Sequence, residues 1–201
     1  MSDTKVKLLD HGFVQYVSHS GDEAFISRMA GISHMNETGP SVDKLLAWEH
    51  MSPFEFANIT FRIKCPIFVA RQLMRHRTAS YVEKSLRYNN ADPEFFSLEM
   101  DNTEDTRNVT MASAYKQSYE NYLALLKEGK PKEQARTVLP LGMYTEYFFQ
   151  FDLNNLLKML KLRLDKHAQQ ETRMYAYEVY TILNEHFPTI GKWVHDNYLE
   201  S

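Results

Sequence analysis

The 201 residues carry 23 Lys and Arg against 26 Asp and Glu, a formal net charge of -3, so no overall positive field draws the chain to polynucleotides or anionic lipid, and any anion site is local. Apolar residues at 43% and aromatics at 13% exclude a disordered or fibrous chain, and the length suffices for one core without disulfides or a structural metal. No apolar run of about eighteen residues occurs, which argues against a membrane span, while the single cysteine, Cys65, and an N-terminus without an apolar signal core point to a reducing cytoplasm.

Residues 13–17 favour a short strand, and residues 22–29 a helix that Gly31 ends. Over 41–49 a helical pattern of Val42, Leu45, Leu46 and Trp48 follows a capping Ser41. His50, Met51, Ser52 and Pro53 then break it, which puts His50 at a turn. Residues 57–63 alternate Ile59, Phe61 and Ile63 with Asn58, Thr60 and Arg62, the period of a half-exposed strand, and Pro66 ends that strand and opens a helix. Over 67–74 helical spacing groups Arg71, Gln72 and Arg75 on one face, with Phe68, Val69 and Leu73 on the other.

A polar loop over 89–105 precedes a helix over 110–127, closed by Gly129 and Pro131, and a further short helix carries 133–138. Residues 145–151 are aromatic and β-favouring, and Asp152 is placed to cap a helix over 154–163. A last helix over 168–186 presents Tyr175, Val179, Ile182 and Leu183 on one side. If the preceding helix runs on, His167 shares a face with Arg163 and supports it. Helices interleaved with a few strands, without internal repeat or linker, predict one α/β or α+β domain over 1–201.

The densest chemistry is Arg75-His76-Arg77, followed within a dozen residues by Thr78, Ser80, Glu83, Lys84, Ser85, Arg87 and Tyr88. Guanidinium forks match phosphate and carboxylate oxygens bidentately, which suits a nucleotide or dinucleotide, although a solvated basic loop has the same composition. Cys65 at a strand end is expected to be a small buried apolar group. The aromatic stripe of Met143, Tyr144, Tyr147, Phe148 and Phe149 is expected to pack rather than stack a ligand, and Lys158, Lys161 and Lys166 read as a solvated face. No His, Cys and Asp grouping has zinc spacing, so no metal is expected.

The run RHRTASYVEKSLRY at 75–88 resembles the signature of flavin-dependent thymidylate synthases, RHR followed by seven residues and a serine, here Ser85. EHMSPFEF at 49–56, QARTVLPLGMY at 134–144 and LRLDKHAQQE at 162–171 stand at the distances that family shows, so the resemblance spans nearly the whole chain. It implies a central sheet flanked by helices and a homotetramer whose active sites lie between subunits, with FAD bridging protomers and dUMP stacked near the flavin. The implied reaction is reductive methylation of dUMP to dTMP, with methylenetetrahydrofolate as carbon donor and NADPH reducing the flavin.

Carried over position by position, the resemblance assigns FAD contacts to Arg75, His76 and Arg77, with Ser52, Glu55, His50 and Glu83, and to Ser33 from a neighbouring segment. Asp152, Asn154 and Lys158 stand where many members carry an Asn-x-Arg pair and a later Asn or His that meet FAD, and Val82 replaces a frequent asparagine. The implied dUMP contacts are Gln72, Arg75, Glu83, Ser85, Leu86 through its backbone, Arg87 and Arg136, with Arg163 at the uracil ring as the catalytic residue. A nucleoside monophosphate brings roughly two negative charges that fixed cations such as Arg87 and Arg136 offset. A cation beside the ring stabilises charge developing there. Lys64-Cys65-Pro66 lacks the Pro-Cys-His context of the cysteine-dependent thymidylate synthases, so no cysteine nucleophile is expected. Two other readings fit the same arginines: a nucleotide-binding protein without the reductive step, and a flavoenzyme that hydroxymethylates a pyrimidine nucleotide or methylates RNA, the last disfavoured by the charge of -3.

Overall fold

The structure, a computed structural model, describes residues 5–97 and 106–200. Period-two alternation builds its centre. In β1 (Lys5–Leu8) and β2 (Gly12–Ser20) the chain folds back on itself, and after four intervening helical segments it enters β3 (Asn58–Pro66), where Ile59, Phe61, Ile63 and Cys65 are all fully buried on one face. With β4 (Ser80–Glu83) and β5 (Tyr144–Asp152) these strands form one five-stranded sheet in the order β1-β2-β3-β5-β4, every pair antiparallel. The entirely antiparallel pairing makes the mixed architecture α+β.

Among the described residues, eight helices accompany the sheet: α1 (Glu23–Gly31), α2 (Val42–Ala47), α3 (Ile67–Leu73), α4 (Thr106–Lys127), α5 (Lys132–Ala135), α6 (Leu153–Arg163), α7 (Gln170–His186) and α8 (Pro188–Val194). Of these, α3, α6 and α7 pack directly on its strands. Leu153, Leu156, Leu157, Met159 and Leu160 of α6 and Tyr175, Ala176, Val179, Ile182 and Leu183 of α7 join the buried strand face in the main core, each large apolar side chain contributing about 1.5–3 kcal/mol by leaving water. Asp152 caps α6 as expected, its carboxylate accepting from the backbone N of Asn155 at 2.9 Å. Tyr122, Ala91, Ala135 and Met143 form a smaller core under α4.

On the other face, β3 and β5 present Arg62, Lys64, Glu146, Phe148 and Gln150, with an Arg62–Glu146 ion pair. Phe148 remains 45% exposed, and Val82, its partner across β4 and β5, 70% exposed. Tyr147 and Phe149 lie in the core, so the aromatic stripe splits between packing and surface.

Several local expectations change. α1 ends at Gly31 as expected, but the chain continues through a 3-10 turn, Ile32–His34, and stops at Met35, which has a left-handed φ of 55°. Gly31 is also a point of close approach, because a Cβ there would stand 2.6 Å from the Asn36 carbonyl oxygen. Ser41 precedes α2 without a side-chain cap bond. The short 133–138 helix is α5 followed by a 3-10 turn, Arg136–Val138. The polar loop over 89–105 is anchored by a bridge from Phe95 to Met143, and its residues 98–105 lie outside the described residues. Since α6 stops at Arg163, His167 shares no helical face with it and is exposed, its backbone N donating to Asp165 Oδ1.

Candidate active site

The charged signature begins where α3 runs out. Pro66 starts that helix, Leu73 ends it, and the chain turns through residues 74–79 into β4. A helix end leaves carbonyls without intrahelical partners, and two side chains satisfy them here. The Tyr81 hydroxyl shares its proton between the His76 carbonyl at 2.9 Å and the Leu73 carbonyl at 3.1 Å, while its ring stacks on Phe149 at 4.9 Å. Arg163, at the last turn of α6, donates from a terminal NH2 to the Gln72 carbonyl at 2.9 Å and from Nε to His76 Nε2 at 3.0 Å.

That second bond settles the state of the imidazole. A ring nitrogen that accepts carries no proton, so His76 is the neutral Nδ1–H tautomer. Burial first, and then the Arg163 guanidinium, push its pKa down to about 4. The Gln72 carboxamide is also held, donating to Gln169 Oε1 at 2.5 Å from the residue before α7. Arg71, Arg75 and Arg77 are exposed, and no ion pair to any of them forms among the described residues. The turn is therefore a rigid frame carrying unneutralised cations.

A second group forms at the far end of β4. Glu83 accepts from Thr145 Oγ1 at 2.6 Å. The Ser85 hydroxyl accepts from the Arg87 backbone N at 3.3 Å, and Arg87 pairs with Glu133 at 3.0 Å on the surface, where such a pair contributes little and exchanges readily for a stronger anion. Glu83, Leu86, Arg136, Met143 and Thr145 line a cavity of about 240 Å³ beside it.

The Ser52–Phe56 turn that leads into β3 forms a third group with the start of α6. Asn154, only 4% exposed, donates to Glu55 Oε1 at 2.8 Å, and its own Oδ1 is buried without a hydrogen-bond partner. A buried acceptor left open costs about 1–3 kcal/mol. Asp152 is different, for its two carboxylate oxygens are engaged by the backbone N and the Nδ2 of Asn155. Lys158, His50 and Ser33 are exposed, with the His50 ring 5.7 Å from Trp48.

Comparison with known proteins places the chain in a family. The family model described as thymidylate synthase complementing protein matches residues 13–189. A flavin-dependent thymidylate synthase of Thermus thermophilus is 37% identical, over 97% of this chain and 80% of its own length. One from Thermotoga neapolitana is 36% identical over 98% and 94%. The chain belongs to the flavin-dependent thymidylate synthase family. A crystal structure of a UMP/dUMP methylase from Streptomyces cacaoi bound with 5-Br dUMP shares the fold with a TM-score of 0.83 at 26% identity, covering 96% of this chain and 98% of that one.

Within this family frame, the residues singled out from the sequence fall into the three groups above. Gln72 and His76 meet Arg163 directly, whereas Glu83, Leu86 and Arg136 gather at the other end of β4 with Ser85 and Arg87 beside them. Glu55 joins Asn154. Sequence reasoning missed Tyr81, Thr145 and Gln169. Tyr81 and Gln169 lie inside quoted motifs but point at backbone or at another side chain across the fold, and Thr145 had no local signal at all. Cys65 is fully buried, within 3.7 Å of the Tyr147 hydroxyl, and burial pushes its thiol up to about 12.

The residues present fit a flavin nucleotide. Exposed Arg75 and Arg77, without an ion-pair partner among the described residues, would supply the cations for its phosphates.

Proposed function

We propose that this enzyme methylates dUMP to dTMP, with methylenetetrahydrofolate as carbon donor and FAD, reduced by NADPH, as hydride source. The observation that carries this reading is the two-point hold on Arg163 by a neutral imidazole and a backbone carbonyl. A guanidinium held this way keeps its full charge and presents its remaining N–H groups to a ring carbonyl on which negative charge develops. Gln72 and Arg75 extend that group toward the nucleotide. Ser85, the Leu86 backbone, Arg87 and Arg136 take the phosphate, with Glu83 held in place by Thr145.

Bound FAD supplies the hydride. Arg75, His76 and Arg77 would hold it, with Ser52, Glu55 and Asn154 at the other end of the pocket and His50, Ser33 and Lys158 at its exposed margin. Asp152 serves this pocket by capping α6. Cys65 takes no part, because a thiol titrating near 12 in the core has almost no thiolate at neutral pH.

The phosphate group follows β4 and the Arg163 group precedes it in the chain, and residues of both reach solvent in one protomer. Together with exposed Val82 and Phe148 on the uncovered sheet face, this supports a homotetramer with active sites completed between subunits.

The test is an absorbance spectrum of the purified protein, then anaerobic NADPH with and without dUMP, then product analysis with methylenetetrahydrofolate. Flavin bleaching that responds to dUMP, followed by dTMP, is the expected result. Protein that takes up no FAD on incubation points instead to a nucleotide-binding protein without the reductive step. UMP, offered in parallel, checks whether the chain shares the dual substrate range named for the Streptomyces cacaoi neighbour.

A further inference from the structure

We propose that His76 is the positioning residue for Arg163, setting the plane of its guanidinium against the pyrimidine ring. The inference rests on the reading that Arg163 meets dUMP, and it adds how that arginine is aimed. A guanidinium has five N–H donors in one plane, and two of them are fixed here, Nε–H by His76 Nε2 at 3.0 Å and one NH2 hydrogen by the Gln72 carbonyl at 2.9 Å. Two bonds from adjacent nitrogens fix both the position and the plane of the fork, and they leave the opposite edge free.

The acceptors are themselves fixed. Gln72 O and His76 belong to one turn, and the Tyr81 hydroxyl ties that turn down through the Leu73 and His76 carbonyls. Residues 72–81 thus act as a template against which the last turn of α6 is docked.

The choice of imidazole has a chemical reason. A carboxylate at position 76 would hold the arginine more strongly, but it would neutralise the charge that a developing anion on the ring needs. A neutral ring nitrogen holds the fork in place without cancelling that charge. Burial and the arginine itself keep the imidazole unprotonated, so the acceptor persists across the neutral range.

The test compares His76→Phe with His76→Gln, whose Oε1 can accept near the place of Nε2, at saturating FAD so that any loss of flavin contact is made good. His76→Phe is expected to lower kcat about thirtyfold, in the range for losing a preorganised charge contact, and His76→Gln to recover most of that loss. Calorimetric binding of dUMP is then measured for His76→Phe with Arg163 present and with Arg163→Ala. A weakening of at least about fivefold with the arginine, and less than about twofold without it, is the coupling that positioning demands. Equal weakening in both backgrounds, or a glutamine variant as slow as the phenylalanine one, overturns the proposal. Wild-type protein that forms no dTMP, or Arg163→Ala with full turnover, overturns the functional reading instead.

Discussion

A histidine that must stay neutral to accept from an arginine leaves a mark on stability as well as on chemistry. His76 titrates near 4 in the folded chain against an ordinary value of 6.5. Below 6.5 the unfolded chain therefore takes up a proton that the folded chain refuses. The stability that goes with neutral His76 is complete above pH 6.5 and is lost as the pH falls toward about 4. Denaturant midpoints measured at pH 7 and pH 5 are expected to drop less for His76→Gln than for the wild type, and equal drops would place the acid sensitivity elsewhere. Tyr81→Phe keeps the stack on Phe149 and loses only the hydroxyl, leaving the Leu73 and His76 carbonyls without that donor. A loss of about 1 kcal/mol in unfolding experiments is expected. Cys65→Ala, which removes a buried thiol outside the chemistry, is expected to retain turnover while costing some stability. An inactive but folded alanine variant would contradict the cysteine-free mechanism.

Among the elements, α6 matters most to the site, because one helix carries the Asp152 cap, Asn154 at the proposed flavin pocket and Arg163 at its far end. Asp152→Ala removes the cap and is expected to cost about 1 kcal/mol, read as a shift in the denaturation midpoint. No shift would show that water replaces the carboxylate without penalty. The sequence foretold this helix and β3 and β5 well, since period two and period 3.6 are both strong there and Asp152 marks the change between them. It did not foretell β1, β4 or α8. β4 has four residues with only Tyr81 turned toward the core, and such a stretch is a strand only because β5 offers it an edge. α8 follows α7 after a single residue, Phe187, at a Pro188 that reads locally as a stop.

At the scale of the whole molecule, the uncovered sheet face is the feature that a single protomer does not explain. Val82 and Phe148 pair across β4 and β5 and remain 70% and 45% exposed. Val82→Asp, which puts a charge on that face, is expected to shift the assembly toward smaller species in light scattering and to lower turnover with it. An unchanged mass would remove this face from the proposed tetramer.

By itself the sequence determined the family, the central strands, the capped helix and the arginine-rich signature, because these are written in local periodicity and in motifs whose residue types follow from phosphate and ring chemistry. Only the tertiary structure decided the partners: that Arg163 meets His76 across 87 positions and Gln72 across 91, and that Gln72 meets Gln169 and Glu83 meets Thr145. The reason is physical. A hydrogen bond between elements distant in the chain depends on how those elements dock, and docking is set by the shared core under β3, β5, α6 and α7 rather than by either segment alone.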